Sequence, residues 1–336
     1  MKSVLTTTIL ALTSFAASEA APPAPAYRVA ATISGPDGGG WDYARVDPVD
    51  HRLYIARSIS VTVIDTRRER AVGSIGTIAH GHAVVPLPDG RLMATSGDDA
   101  SVRFFSTSDG RELGRVAVGE KPDAAIVSAD GKTGFVMDTK AGSVSIIDTT
   151  AMRTLRTVQL KPGLEYAALT PKGTLFVNDE DANEIEVVDI RRGTAAAPIA
   201  LPGCTEPSGL AYDVKTDRLI AACANGKAAI VTGSNRKLSQ LVDIGEGPDA
   251  VILDPQRRLA FIPCGKDGVL DILSLKGAVV KRVGRIKTAG GARTGALDPD
   301  SGAIYLPTAS FGPPAKPGTR PVATPGTFKV LVVKPA

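Results

Sequence analysis

Aromatic side chains are scarce: Phe, Tyr and Trp make up 4% of the 336 residues, with a single tryptophan, Trp41. Too few are present to build stacking platforms for nucleobases. No Lys/Arg run stands out from the mild formal charge of +4 (39 basic against 35 acidic residues). No nucleic-acid partner is therefore expected. Histidine and cysteine occur three times each, with no Cys-x-x-Cys-His haem attachment and no Cys/His copper cluster, which leaves redox chemistry without a motif. No stretch approaches the ~20 apolar residues of a membrane-spanning helix, so no membrane span is expected. Sustained i, i+3, i+4 apolar spacing is also missing, which excludes a helical solenoid.

The residues that are plentiful are those of short strands and tight turns. Hydrophobic residues reach 43%, enough for a buried core, and 35 glycines and 24 prolines punctuate the chain at short intervals. At the N-terminus, Lys2 precedes the apolar stretch Val4–Phe15, and small residues frame Ser18-Glu19-Ala20. This is the pattern of an export signal cleaved near Ala20, with 1–20 as signal, 21–26 as a Pro/Ala-rich leader and 27–336 as one domain. A retained N-terminal anchor is the alternative, weakened by the Pro/Ala-rich leader. The expected location is periplasmic or secreted, and the expected state is a monomer.

A repeat dominates the rest of the chain. Residues 123–131, Thr133–Thr139, Ser143–Thr149 and Arg153–Leu160 read as four short strands, separated by Asp-Gly, Ala-Gly and Asp-Thr-Thr turns. The unit recurs when aligned on the residue opening its first strand: Asp42, His82, Asp123, Glu165, Ser208, Asp249 and Arg293, at spacings of 40, 41, 42, 43, 41 and 44. A four-stranded unit of this length, repeated seven times, is a propeller blade. The predicted fold is all-β, a seven-bladed β-propeller of four-stranded antiparallel blades. The seventh repeat has strands at Thr294–Asp298, Ala303–Pro307 and Phe328–Val333 but lacks a fourth. Tyr27–Ile33 is a strand without a blade. Pairing it with Phe328–Val333 would complete blade seven.

The units resemble the YVTN-type repeats of bacterial propellers, whose second strand reads Tyr-Val-Thr-Asn after a Pro-Asp-Gly-like turn. Leu53-Tyr-Ile-Ala-Arg57, Gly134-Phe-Val-Met-Asp138, Leu175-Phe-Val-Asn178 and Ala303-Ile-Tyr-Leu-Pro307 carry that resemblance. So do third strands Val61–Asp65, Val144–Asp148 and Ile185–Asp189, similar to Val-x-Val-Ile-Asp. The resemblance spans about 27–336 and implies a fold, not an activity, because propellers host unrelated chemistries. Thr95-Ser-Gly97, Cys223 and Cys264 depart from the pattern.

First strands line a propeller's channel, so the seven aligned residues should form a ring at one mouth. Tyr43, Tyr166 and Glu206 flank it, with Trp41 and His80 just upstream. Polar residues at a wet mouth need no purpose. Crowded carboxylates, however, repel one another unless a proton, Arg293 or a cation compensates. Asp42, His82, Asp123 and Glu165 would suit Ca²⁺, Mg²⁺ or Mn²⁺. His80 or His82 beside a carboxylate could act as a general base, with Arg293 steadying an anion. A triad using Ser208 lacks the Gly-x-Ser-x-Gly elbow. The ring could equally hold a small cationic or sugar-like ligand, or a partner peptide; ligand-binding candidates are Asp42, Tyr43, His82, Asp123, Glu165, Tyr166, Glu206, Asp249 and Arg293. His51 falls in a turn on the opposite face.

The Pro-rich insertion Thr308–Thr327 should emerge on the ring's face, either as a lid or partner arm or as an ordinary surface excursion. In an oxidising compartment two of the three cysteines should pair. Cys204–Cys223, within one hairpin, is preferred over Cys223–Cys264 across blades. The expected function is a non-catalytic binding scaffold for a small molecule or protein partner. The alternative is a metal-assisted hydrolase or lyase, with lactonases as the comparison by fold.

Overall fold

The computed structural model describes residues 26–314 and 321–336. The expected signal, the leader up to residue 25 and Pro317 of the insertion lie outside the described residues. The described chain forms seven four-stranded antiparallel sheets, an all-β seven-bladed propeller.

Blade three shows why these residues fold this way. Its strands are Pro122–Val127, Thr133–Asp138, Ser143–Asp148 and Arg153–Gln159. Phe135, Val136, Met137, Val144 and Ile147 are fully buried, because the two middle strands are covered on both faces by neighbouring blades and so read as continuous apolar runs. The outer strand meets water and buries only Val158 of its seven residues. Gly131 and Gly142 turn the chain at φ +70° and +63°, conformations that cost glycine nothing. The Asp148 carboxylate accepts the backbone N–H groups of Thr150 (3.0 Å) and Ala151 (2.9 Å), fixing the last turn.

The ring closes with a strand from the N-terminal side of the domain. Tyr27–Ser34 runs antiparallel to Lys329–Pro335, from Tyr27↔Pro335 to Ser34↔Lys329. It completes the sheet that also holds Ile304–Thr308 and Ala296–Leu297. Arg57 secures the segment leading from this strand into blade one. Its guanidinium, 1% exposed, donates to the carbonyls of Pro36 (3.0 Å), Gly39 (2.9 Å) and Gly40 (3.0 Å) and to the Thr62 hydroxyl (3.1 Å). It also lies 3.7 Å from the centre of the Phe328 ring. Burial brings its pKa down to about 10.

A circle of hydrogen bonds joins each blade to the next at the ring's end of the channel. Tyr43 N–H donates to the His82 carbonyl (3.0 Å) and the Thr95 hydroxyl to the Asp123 carbonyl (3.0 Å). The Thr139 hydroxyl reaches the Leu164 carbonyl (2.6 Å), and the Asn178 amide reaches the Ser208 carbonyl (3.0 Å). The Ser208 hydroxyl donates to the Pro248 carbonyl (3.1 Å), and Asp249 N–H to the Arg293 carbonyl (3.2 Å). Thr294 finishes the circle on the Asp42 carbonyl (2.9 Å).

The inner strands depart from regular pairing at this same end. Register shifts between Trp41/Ala44, Pro122/Ala125, Leu164/Ala167 and Pro207/Leu210 mark a bulge in blades one, three, four and five. In blades two, six and seven the inner strand shortens to Val84–Pro86, Ile252–Asp254 and Ala296–Leu297. The last is shorter than the predicted Thr294–Asp298. In blades two and six the ring-end N–H groups bond elsewhere, Ala83 to the Thr95 hydroxyl at 2.9 Å and Asp249 to Arg293.

Candidate functional site

In blades one and four a bulge accompanies two adjacent site residues. In a regular strand, neighbours such as Asp42 and Tyr43 would face opposite sides; a bulge re-aims one of them. Both take part here, as do Glu165 and Tyr166.

Three ring residues from consecutive blades meet at His82. Its Nδ1 lies 2.9 Å from Asp42 Oδ2 and 3.5 Å from Asp123 Oδ1. Burial alone would lower the imidazole pKa. The hydrogen bond to Asp42, with the charges of Asp123 and Asp42, outweighs it and raises the value. Lys121 reaches Asp123 from the rim at 3.8 Å. Burial nevertheless pushes the Asp123 carboxyl up to about 7; His82 opposes the shift and Asp42 adds to it. Across the mouth, Arg293 Nε donates to Asp249 Oδ2 at 2.6 Å. The charge of Asp249 holds that guanidinium above its ordinary value, and burial raises Asp249 itself despite the pairing.

Glu165 differs from the other three ring carboxylates. Its partner is the Tyr43 hydroxyl, donating to Oε2 at 3.3 Å. Burial first, then Asp123 and Asp249, push its carboxyl well above the usual range. The Tyr43 ring packs on Tyr166 with centroids 4.7 Å apart, and the Arg45 guanidinium sits 5.4 Å from the Tyr166 centroid. Below this pair a channel cavity of about 460 Å³ is lined by Tyr43, Arg45, Tyr166 and small apolar residues such as Ala167, Ala211 and Ala296. None of the seven ring residues lines it.

Several sequence expectations are relocated. Asp42 Oδ2, His82 Nδ1 and Asp123 Oδ1 come together, with the ligand atoms of these residues within 4.8 Å of one another, but Glu165 does not join them. Ser208 is committed to the Pro248 carbonyl rather than to a catalytic histidine. Trp41 is core, not mouth: it packs 5.5 Å from Phe328 and 6.0 Å from Phe311 of the insertion. The described parts of that insertion pair with each other at Phe311↔Ala323. His80 is half-exposed on the rim, 3.3 Å from Asp98 and with its ring 4.7 Å from that of His82. Glu206 is exposed, its backbone N–H donating to Asn183 Oδ1 at 2.8 Å. Cys204 and Cys223 form a disulfide, and Cys264 is buried and free.

The sequence reading missed Lys121 and a pattern at the rim. His80, Lys121 and Glu206 each stand two positions before a ring residue, at φ +61°, +53° and +48°. Gly163, Gly247 and Gly291 occupy the equivalent places in other blades, at φ +94°, +66° and +78°. Three blades thus put a polar side chain where glycine is the unstrained choice. The position two before the ring residue, read down the repeat, carries that signal.

No protein-family model matches the chain, and neither does any curated protein by sequence. Among solved structures, a chain of Kuenenia stuttgartiensis hydrazine synthase is similar at a TM-score of 0.71 and 18% identity, over 80% of this chain and 93% of that one. The likeness is one of fold.

Proposed function

We propose that this chain is an exported binding propeller whose acidic mouth receives a positively charged group of a small ligand. Glu165 carries the reading: its partly buried carboxylate is bonded to one phenol, while Asp42 and Asp123 share His82 and Asp249 has Arg293. Burial and the neighbouring carboxylates disfavour the charged form of Glu165, a cost that a ligand cation would offset. The strained rim residues and the tyrosine pair would frame it. Export is supported by the signal-like N-terminus and by a disulfide suited to an oxidising compartment. YVTN-type affiliation and a monomeric state belong to the same proposal. Spermidine, as a small organic cation, should raise the melting temperature of the protein and lose that effect in Glu165→Gln. An unchanged response in the variant, or no response in the parent, counts against the reading.

The second reading, a metal-assisted hydrolase or lyase, draws on the convergence of Asp42, His82 and Asp123. These donors fit a divalent ion, which would supply Lewis acidity at the mouth. Metal analysis of the purified protein with and without Asp123→Ala tests it. Stoichiometric metal lost on substitution supports it; no metal, with no stabilisation by added Ca²⁺, Mg²⁺ or Mn²⁺ that depends on Asp123, overturns it.

A further inference from the structure

Blades three and four are built alike at the hairpin between their second and third strands, yet differ in charge. In blade three, Asp138 pairs directly with Ser143. The Ser143 and Ser145 hydroxyls donate to Asp138 Oδ2 at 2.9 and 2.7 Å. The matching positions in blade four are Asp179, Glu184 and Glu186, with Asp179 directly opposite Glu184. Both donors have become carboxylates.

Like charges opposed on adjacent strands destabilise a sheet, and burial makes this worse. Asp179 is 0% exposed and Glu186 4%. Asp179 Oδ1 accepts the Ala182 N–H at 2.9 Å, but Asp179 Oδ2 is buried without a partner. The three residues bring ligand atoms within 4.8 Å of one another. Two calcium–oxygen bonds of about 2.4 Å placed end to end span that distance. Gly163 leaves the space: a Cβ there would come within 2.8 Å of Asp181 Oδ2 and 2.9 Å of Asp179 Oδ1. The nearby cation is Lys161, bonded to Glu184 and 3.8 Å from Glu186, with its own side chain 54% exposed.

We propose that Asp179, Glu184 and Glu186 form a Ca²⁺ site at the end of blade four, separate from the channel mouth, with the Lys161 ammonium as the internal cation that Ca²⁺ displaces. All-carboxylate donors suit a hard cation, and Ca²⁺ sheds water for such a site more readily than Mg²⁺ does. Bound there, the ion would pin the hairpin of blade four as the two serines pin that of blade three.

Calorimetric titration of EDTA-treated protein with CaCl₂ tests the site, with melting temperature as a second readout. The expected result is one Ca²⁺ per chain in both the parent and Asp123→Ala. Binding should weaken at least about tenfold in Glu186→Gln and in Glu184→Gln. Lys161→Gln should bind more tightly than the parent, and Lys161→Arg should not. Calcium binding lost in Asp123→Ala would assign the ion to the mouth and overturn the proposal. So would binding unchanged in both glutamine variants, or no binding in either the parent or Lys161→Gln. Because Lys161→Gln tests a gain, failure of an acidic variant to fold does not shield the idea.

Discussion

The Thr294 hydroxyl donates to the backbone carbonyl of Asp42, 2.9 Å away and 252 residues distant in sequence. It is the bond that closes the circle between blade seven and blade one, and it fixes the backbone that presents Asp42 to His82. Thr294 is fully buried, so Thr294→Val removes a donor without making a hole and strands one carbonyl. The expected cost is about 1–3 kcal/mol, read from urea unfolding, with Thr294→Ser recovering most of it. Equal stability of the Val and Thr forms would show that the circle does not hold the blades together.

Closure has a second component in Tyr27–Ser34. Removing residues 27–33 would leave the apolar strand Lys329–Pro335 with an unpaired edge, a template for another chain. Size-exclusion chromatography should show oligomers or aggregate. A stable monomer with the parent's melting temperature would mean that the sheet tolerates the open edge.

The rim offers a trade between stability and binding. His80, Lys121 and Glu206 occupy left-handed backbone that glycine adopts freely. Lys121→Gly and His80→Gly should therefore match or exceed the parent's stability, by up to about 1 kcal/mol, while weakening whatever the mouth binds. Spermidine-induced melting shifts measure the second effect. Glycine variants that lose stability by more than about 1 kcal/mol would show that these side chains are structural.

The repeat made the fold legible because its turn chemistry and strand pattern return every forty-odd residues, and the ring residues stand at one fixed point in each unit. The details of the site were harder to see. Nothing in Asp42-Tyr43 or Glu165-Tyr166 announces a bulge, and in blade one the Tyr43 N–H leaves the ladder for the His82 carbonyl of the next blade. Arg57 looked like the end of an ordinary strand, yet its acceptors are mostly backbone carbonyls of 36–40 that leave no trace in composition. The packing of Trp41 was not legible because Phe311 and Phe328, which cover it, come from the other end of the chain. The blade-four acids were legible only by comparison with Ser143 and Ser145 of the preceding repeat.

Cysteine chemistry is set by burial. Cys204 and Cys223 are bonded across 19 residues, a loop closure worth about 3 kcal/mol in the chain-entropy model. The double variant Cys204→Ser/Cys223→Ser should lose stability of that order in urea unfolding. Burial, with Asp271 nearby, pushes the Cys264 thiol up to about 12, so it should resist a thiol reagent until the chain unfolds. Rapid labelling of one thiol in the native protein would contradict this.

The mouth should make stability fall with rising pH. The Asp123 carboxyl is raised to about 7 from an ordinary 3.8, and the His82 imidazole is raised above 6.5. Both groups bind protons more tightly folded than unfolded. Their contribution is therefore fully present below the unfolded values and is lost as pH rises through the folded ones. For Asp123 the loss runs from about pH 4 to beyond 7; for His82 it begins near 6.5. Melting temperatures at constant ionic strength should decline between about pH 5 and 8, and Asp123→Asn should flatten that decline by removing a titrating carboxyl. A cation held by the mouth would oppose the trend, so the stabilisation by spermidine should widen as pH rises. A parent protein more stable at about pH 8 than at about pH 5, or an Asn variant with the parent's slope, would show that the ring at the mouth does not govern the pH response.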